Sequence, residues 1–162
     1  CGSAAQLPFK SGAFDIVTCL DVLYHQNISS DSDAAGEIFR VLKPGGLFVL
    51  TDCALMSLWG KHDIAVQAAR RYNRPQLLRL VTDAGFVCEK ISYMNFFLLP
   101  FVFAARKMSN LRPGPARSDV KETPPVLNAL LKAIYGAERF LLRFMNLPLG
   151  SSIIAVCKKP EA

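Results

Sequence analysis

Two short apolar runs, separated by the length of one helix, constrain this chain more than any other feature. They are Phe14-Asp15-Ile16-Val17-Thr18-Cys19-Leu20 and Leu47-Phe48-Val49-Leu50, the first preceded by the turn Lys10-Ser11-Gly12 and the second by Lys43-Pro44-Gly45-Gly46. Continuous apolar runs rich in β-branched residues read as buried strands. Between them Ser30 and Asp33 are spaced as a helix start with an acidic first turn. Ala35, Ile38, Phe39 and Leu42 then give the i, i+3, i+4, i+7 pattern of a helix packed on one side. Strand, helix and strand, with 26 residues (21–46) between the strands, is the spacing of a parallel βαβ crossover. Neither run alternates, so both strands are expected to be central and covered on both faces.

The pattern continues downstream. Residues 53–72 read as a mixed connector ending in Arg70-Arg71-Tyr72. Asn73 and Gln76 make a capping-box pair for a helix marked by Leu77, Leu78, Leu80 and Val81. Gly85 and Phe86 supply its C-terminal stop, and Val87 to Tyr93 reads as a third strand. Residues 95–109 are apolar and partly helical, and 112–122 reads as a mobile loop. Thr123 is placed to cap a helix with Pro124 at its first position. From Val126 to Met145 the pattern is amphipathic: Asn128, Lys132, Arg139 and Arg143 share one stripe, and Leu127, Leu130, Leu131, Ile134, Leu141 and Met145 lie on the other side. That helix is expected to pack on the sheet or roof a pocket. Ser151 to Cys157 is a fourth strand.

Composition narrows the function classes. The chain has 162 residues, 51% hydrophobic and 20% charged, which excludes wholesale disorder. Its net charge of +6 is uneven: residues 1–90 balance, while 91–162 carry ten basic and four acidic side chains. A basic, apolar back half points to an anionic partner or a solvated basic face. The basic residues form no known nucleic-acid reader motif, so nucleic acid is not an expected partner. The five Cys are widely spaced and the two His are 37 positions apart, so no local motif for a metal exists. The longest near-apolar stretch, 96–105, is about half of the roughly 20 residues a spanning helix needs. With no signal peptide visible at the start, a cytoplasmic location is the expectation.

These residues resemble the centre of the class I S-adenosylmethionine-dependent methyltransferases, type 11-like. The resemblance rests on Leu7-Pro8-Phe9 followed by Phe14-Asp15-Ile16-Val17, on Leu20-Asp21-Val22-Leu23-Tyr24-His25, and on Glu37-Ile38-Phe39-Arg40-Val41-Leu42-Lys43-Pro44-Gly45-Gly46. The capped helix, Ala84-Gly85-Phe86 and the strand after it continue the match, which covers roughly 2–93 and 150–158. It implies an α/β, Rossmann-like methyltransferase sheet, here the family's strands four to seven with flanking helices. The family's glycine-rich turn and acidic ribose ligand lie upstream of the Leu7-Pro8-Phe9 segment, and no GxG occurs in this sequence. Together with Cys1 at the start and no Met before position 56, this leads us to expect the C-terminal half of such a domain. The expected division is 1–94 with 150–162 as part of the Rossmann-like domain, and 95–149 as an apolar, basic helical insert between its last two strands.

The resemblance also assigns roles residue by residue. The cofactor is S-adenosylmethionine. Ser3-Ala4 takes the place of the family's Asp-Ala pair at the adenine, so Ser3 brings a hydrogen bond without charge. The backbone of Cys19 and Leu20 faces the methionine moiety, and Leu23 packs near the adenine. His25, beside Asp21, is the candidate general base, being of the residue type that titrates near neutral pH. His62, Arg70, Arg71 and Tyr72 lie where related proteins cover the substrate, and the arginines suit a carboxylate or phosphate. The implied function is methyl transfer to a small-molecule acceptor; the apolar, basic insert and its amphipathic helix point further to a lipid-like acceptor and peripheral membrane contact through 126–145. The alternative is a non-catalytic, methyltransferase-like interaction module. An oxidoreductase on a similar sheet fits the motifs less well. The acceptor atom and the oligomeric state are not legible in the sequence.

Overall fold

The structure is a computed structural model that describes residues 2–111 and 123–161; the loop read at 112–122 lies outside the described residues. The element order is β1 (Phe14–Leu20), α1 (Asp31–Val41), β2 (Leu42–Cys53), a 3₁₀ turn (Met56–Leu58), α2 (Lys61–Ala65), α3 (Arg74–Asp83), β3 (Val87–Met94), α4 (Leu99–Leu111), α5 (Pro125–Leu142) and β4 (Ser152–Lys158). Local chemistry sets these boundaries. Ser30 is the N-cap of α1 and its Oγ accepts from Asp33 N at 3.1 Å, with Asp31 and Asp33 favourably placed at the positive end of the helix dipole. Asn73 and Gln76 close a reciprocal capping box on α3. At its other end Gly85 sits at φ +98°. Its N–H and that of Phe86 bond back to the carbonyls of Thr82 and Val81, as a Schellman stop requires.

The four strands form one sheet in the order β1-β2-β4-β3. β1 and β2 are parallel, and β4 is antiparallel to both β2 and β3, so β1, β2 and β3 all point the same way. Pairing of β1 with β2 starts at Phe14 and Leu42, slips, and resumes at Ile16 and Leu47. The slip takes up Lys43-Pro44-Gly45-Gly46: Gly45 has φ +75°, and a Cβ on Gly46 would meet the carbonyls of Lys43 and Asp15 at 2.9 and 3.1 Å. Helices α1 and α3 touch each other and cover one face of the sheet. Between them lies the core of Leu42, Phe48, Leu50, Leu77, Val81, Phe86, Ile153 and Ala155, with Phe86 in ring contact with both Phe39 and Phe48.

Four expectations change. Burial in β2 alternates instead of being complete on both faces: Phe48, Leu50 and Asp52 are fully buried, whereas Leu47, Val49 and Thr51 are half-buried. The helices that pack on the sheet, α1 and α3, cover only one face of it. β1 is an edge strand and not a central one, which leaves Ile16 58% and Leu20 56% exposed. The long helix begins one residue later than read, with Pro124 as N-cap and Pro125 as first residue, and no side chain caps it. Nor does α5 pack an apolar face on the sheet: the one residue it fully buries is Glu138. The Glu138 carboxylate accepts the N–H groups of Asn95 and of Phe96 (2.8 Å), so this helix is tethered to the end of β3 by hydrogen bonds.

Candidate active site

The carboxyl ends of the three parallel strands share one edge of the sheet, and the backbone is strained there. Asp21 (φ 53°), Leu55 (φ 62°) and Asn95 (φ 63°) follow β1, β2 and β3 by one or two residues, and all are left-handed without being glycine. Asn95 offsets the cost with its side chain, which donates to the hydroxyls of Ser151 and Ser152 at 3.2 Å. Leu55 has no such polar group. Its conformation is held by the returning connector, where Tyr72 N donates to Cys53 O at 2.9 Å and Leu55 N to Tyr72 O at 3.1 Å. Such strain persists only where the surroundings over-determine it, and it clusters at functional edges. In open α/β sheets this is also the edge where ligands bind.

A buried acid stands at the centre of that edge. The side chain of Asp52, the penultimate residue of β2, is fully enclosed and accepts N–H groups of Cys53 (2.7 Å) and Tyr24 (3.2 Å). Burial raises its carboxyl to about 7, the nearby Asp21 charge adds to the rise, and the backbone donors of Cys53, Tyr24 and Leu23 hold it down. Burial raises Asp21 as well, and it pushes the thiols of Cys19 and Cys53 up to about 11. The ligand atoms of Asp21, Asp52 and Cys53 lie within 4.8 Å of one another. Asp52 therefore ties the turn after β1 to the end of β2 and changes charge near neutral pH.

The residues singled out in the sequence are distributed around this edge. Leu20 is exposed at the end of β1, next to Asp21. Cys19 and Leu23 are buried in the core, so they offer this edge main-chain groups only. Ser3 is exposed in a small loop, its Oγ accepting from Ala5 N at 3.2 Å, and Ala4 packs against the core. His25 is not turned to Asp21: its Nδ1 accepts from Asn27 N at 3.2 Å, and its backbone bridges to Ala68. His62 lies in α2. Arg71 is buried, donating from Nε to Asp63 Oδ1 (2.8 Å) and from Nη1 to Ala54 O (2.8 Å), with Nη2 also 2.7 Å from Asp63. Arg70 pairs with Asp31 at 3.2 Å and donates to Ile28 O, and the Tyr72 hydroxyl donates to the same Asp31 carboxylate at 2.8 Å. Arg70, Arg71 and Tyr72 do come together, with Asp31, Gln76 and Arg79, around an open cavity of about 360 Å³.

Three features escaped the sequence reading. Asp52 accepts Tyr24 N from 28 residues upstream and Asp63 pairs with Arg71 eight residues downstream, and neither spacing belongs to a helix or strand pattern that would have marked it. The third is an apolar cleft of about 380 Å³ beside the strained Leu55, lined by Leu58, Leu99, Pro100, Phe103 and Leu149 with Ser57 as its one polar side chain. An edge that combines main-chain groups, a carboxylate pair and an adjoining apolar cleft suits a cationic cofactor beside an apolar acceptor.

Comparison with known proteins finds methyltransferases. A family described as "Methyltransferase domain" matches residues 1–50. The 24-methylenesterol C-methyltransferase 2 of rice is 37% identical over 97 residues, covering 57% of this chain and 26% of that protein. The ubiquinone/menaquinone biosynthesis C-methyltransferase of Brucella anthropi is 28% identical over 120 residues, covering 58% and 44%. The crystal structure of geranyl diphosphate C-methyltransferase from Streptomyces coelicolor superposes with a TM-score of 0.58 at 17% identity, covering 98% of this chain and 52% of that one, a likeness of fold. The chain spans less than half the length of the curated relatives it matches here. The α/β fold with its mixed four-stranded sheet, the domain matched over residues 1–50 and the named relatives agree: what this chain is similar to is the class I S-adenosylmethionine-dependent methyltransferases.

Proposed function

We propose that this protein takes part in S-adenosylmethionine-dependent methyl transfer to a small, lipid-like acceptor. The observation that carries the reading is the strained edge formed by Leu20-Asp21 and Asp52-Cys53-Ala54-Leu55, with the apolar cleft beside it. Two relatives named for sterol and quinone C-methylation support the acceptor class. The cofactor is held by Ser3 and Ala4, by main-chain groups of Cys19 and Leu20, and by the wall that Leu23 backs. The exposed Leu20 and the Asp21 carboxylate match a ligand that is part apolar and part cationic. When bound, that cofactor supplies an already activated methyl group, so positioning of the acceptor provides much of the rate. The connector with His62, Arg70, Arg71 and Tyr72 borders the acceptor. His25 serves as base where a hydroxyl proton must leave.

In this reading residues 1–94 and 150–162 form the Rossmann-like part, and 95–149 is an insert whose segment 126–145 makes peripheral membrane contact. Among the described residues no helix is long and apolar enough to cross a membrane. A second reading, a non-catalytic interaction module, is favoured by the open edge of β1, whose unpaired backbone and exposed Ile16 and Leu20 invite another strand. Calorimetric titration with S-adenosylmethionine separates the two. Micromolar binding that Asp21→Ala weakens supports the enzyme, and absence of binding refutes it for this chain.

A further inference from the structure

Helix α5 has an exposed apolar stripe that shares only Leu130 with the side the sequence pattern assigned to packing. Leu131, Ile134 and Leu141 are half-buried on the same side as the enclosed Glu138. Val126, Leu130, Ala133, Ala137 and Phe140 recur along α5 at i, i+4, i+7, i+11 and i+14, the spacing of a single helical stripe, and Phe144, in the turn just past the helix, continues it at i+18. All six are exposed, Val126 at 84% and Phe144 at 75%. Phe140 and Phe144 stack edge to face at 5.2 Å, which confirms that they share a side. Next around the helix come Lys132, Arg139 and Arg143, all exposed. Glu138, the one acid of α5, is turned inward onto Asn95 and Phe96. The outward surface of α5 is thus apolar on one side, cationic on the adjacent side and free of negative charge.

We propose that α5 lies flat on an anionic lipid surface. The stripe from Val126 to Phe144 enters the interfacial layer, and Lys132, Arg139 and Arg143 reach the headgroups. The charge of the helix selects this occupant. A bilayer bearing acidic headgroups complements both sides of α5 at once, and amphipathic helices with a basic polar face bind such surfaces in plane. The inward Glu138 bonds fix the rotation of the helix, so the apolar stripe is presented outward while the body of the protein stays in water. This deepens the proposed function by naming the surface from which a lipid-like acceptor is taken; it rests on that reading for its purpose and not for its chemistry.

The test is co-sedimentation of the 162-residue chain with vesicles of phosphatidylcholine alone and of phosphatidylcholine with phosphatidylglycerol. Binding is expected to the anionic vesicles only and to weaken as salt is raised. Joint Lys132→Gln, Arg139→Gln and Arg143→Gln should lower the partition about a hundredfold, at about fivefold per cation. Phe140→Glu with Phe144→Glu should abolish it, with the circular dichroism spectrum unchanged because both positions are exposed. No sedimentation, or equal binding to neutral and anionic vesicles, overturns the proposal. Self-association in solution that the Phe140→Glu, Phe144→Glu pair disperses also overturns it, since a second copy then covers the face. Calorimetry with S-adenosylmethionine on the same sample tests methyl transfer separately, so cofactor binding without vesicle binding refutes the membrane contact alone.

Discussion

Removing the Asp63 carboxylate probes how the connector between β2 and α3 is held. Asp63 accepts Gly60 N at 2.9 Å, Nη2 and Nε of the one Arg71 guanidinium at 2.7 and 2.8 Å, and Arg106 Nη1 at 3.5 Å. The side chains of Asp63 and Arg71 are 1% and 3% exposed, so Asp63→Ala leaves a guanidinium enclosed with only the Ala54 carbonyl as partner. Breaking a buried pair by removing one member costs about 3–5 kcal/mol, mostly the penalty of the uncompensated charge. Total stabilities are on the order of 5–15 kcal/mol, so the variant should fold but lie near its margin. For a chain of this length the loss corresponds to a midpoint about 10 °C lower. Urea unfolding followed by the fluorescence of Trp59, the only tryptophan and a resident of the same connector, reads the loss directly. A joint Asp63→Leu, Arg71→Met variant removes both charges and should recover at least about 2 kcal/mol of what Asp63→Ala loses. A loss below about 1 kcal/mol for Asp63→Ala, with no recovery in the double variant, would refute the argument.

Further outcomes follow from the same contacts. Asp52 has its folded carboxyl at about 7 against an ordinary value near 3.8, so the folded state holds a proton that the unfolded chain has released between those values. Its contribution is present below pH 4 and is lost as pH rises to 7; urea midpoints at pH 5 and 8 should differ in that sense, and Asp52→Asn should flatten the slope. Glu138→Ala leaves the N–H groups of Asn95 and Phe96 unpaired and leaves α5 held to β3 by the Lys90–Leu142 hydrogen bond; hydrogen exchange should show faster exchange through residues 125–142, with the amides of β2 unchanged. Asn73→Ala removes the cap of α3 and should cost about 1 kcal/mol, measured by thermal unfolding. A Cβ on Gly150 would fall on the Met94 carbonyl, so Gly150→Ala must shift the entry to β4 and should be more damaging than Asn73→Ala in the same assay.

The residues that rules of short range govern were legible without the fold. Ser30 and Asp33, Asn73 and Gln76, and Gly85 with Phe86 mark helix ends by interactions spanning at most a few residues, and the structure places each where the spacing predicts. The apolar runs located β1 and β2 for the same reason, since a strand needs only a local stretch of suitable side chains. What covers a strand is not local. Ile16 and Leu20 read as core and stand exposed because coverage depends on which elements return to that face.

The site divides along the same line. Leu20-Asp21 and the arginine pair could be named from their order in the chain. The approach of Asp52 to Asp21 and the placing of Glu138 under Asn95 could not, because each joins groups brought together only when distant segments pack; Asp63 and Arg71 are only eight residues apart, but no regular helix or strand spacing links them. His25 shows the converse: sequence proximity to Asp21 suggests a pair, yet the turn points its ring to Asn27 instead. The sequence by itself determined the strand–helix order and the helix ends, because those follow from backbone hydrogen bonding and side-chain periodicity. Tertiary packing alone decided which acids are buried, which strand is the edge and which face of α5 is left exposed, because burial is set by long-range neighbours and each of these properties is a consequence of burial.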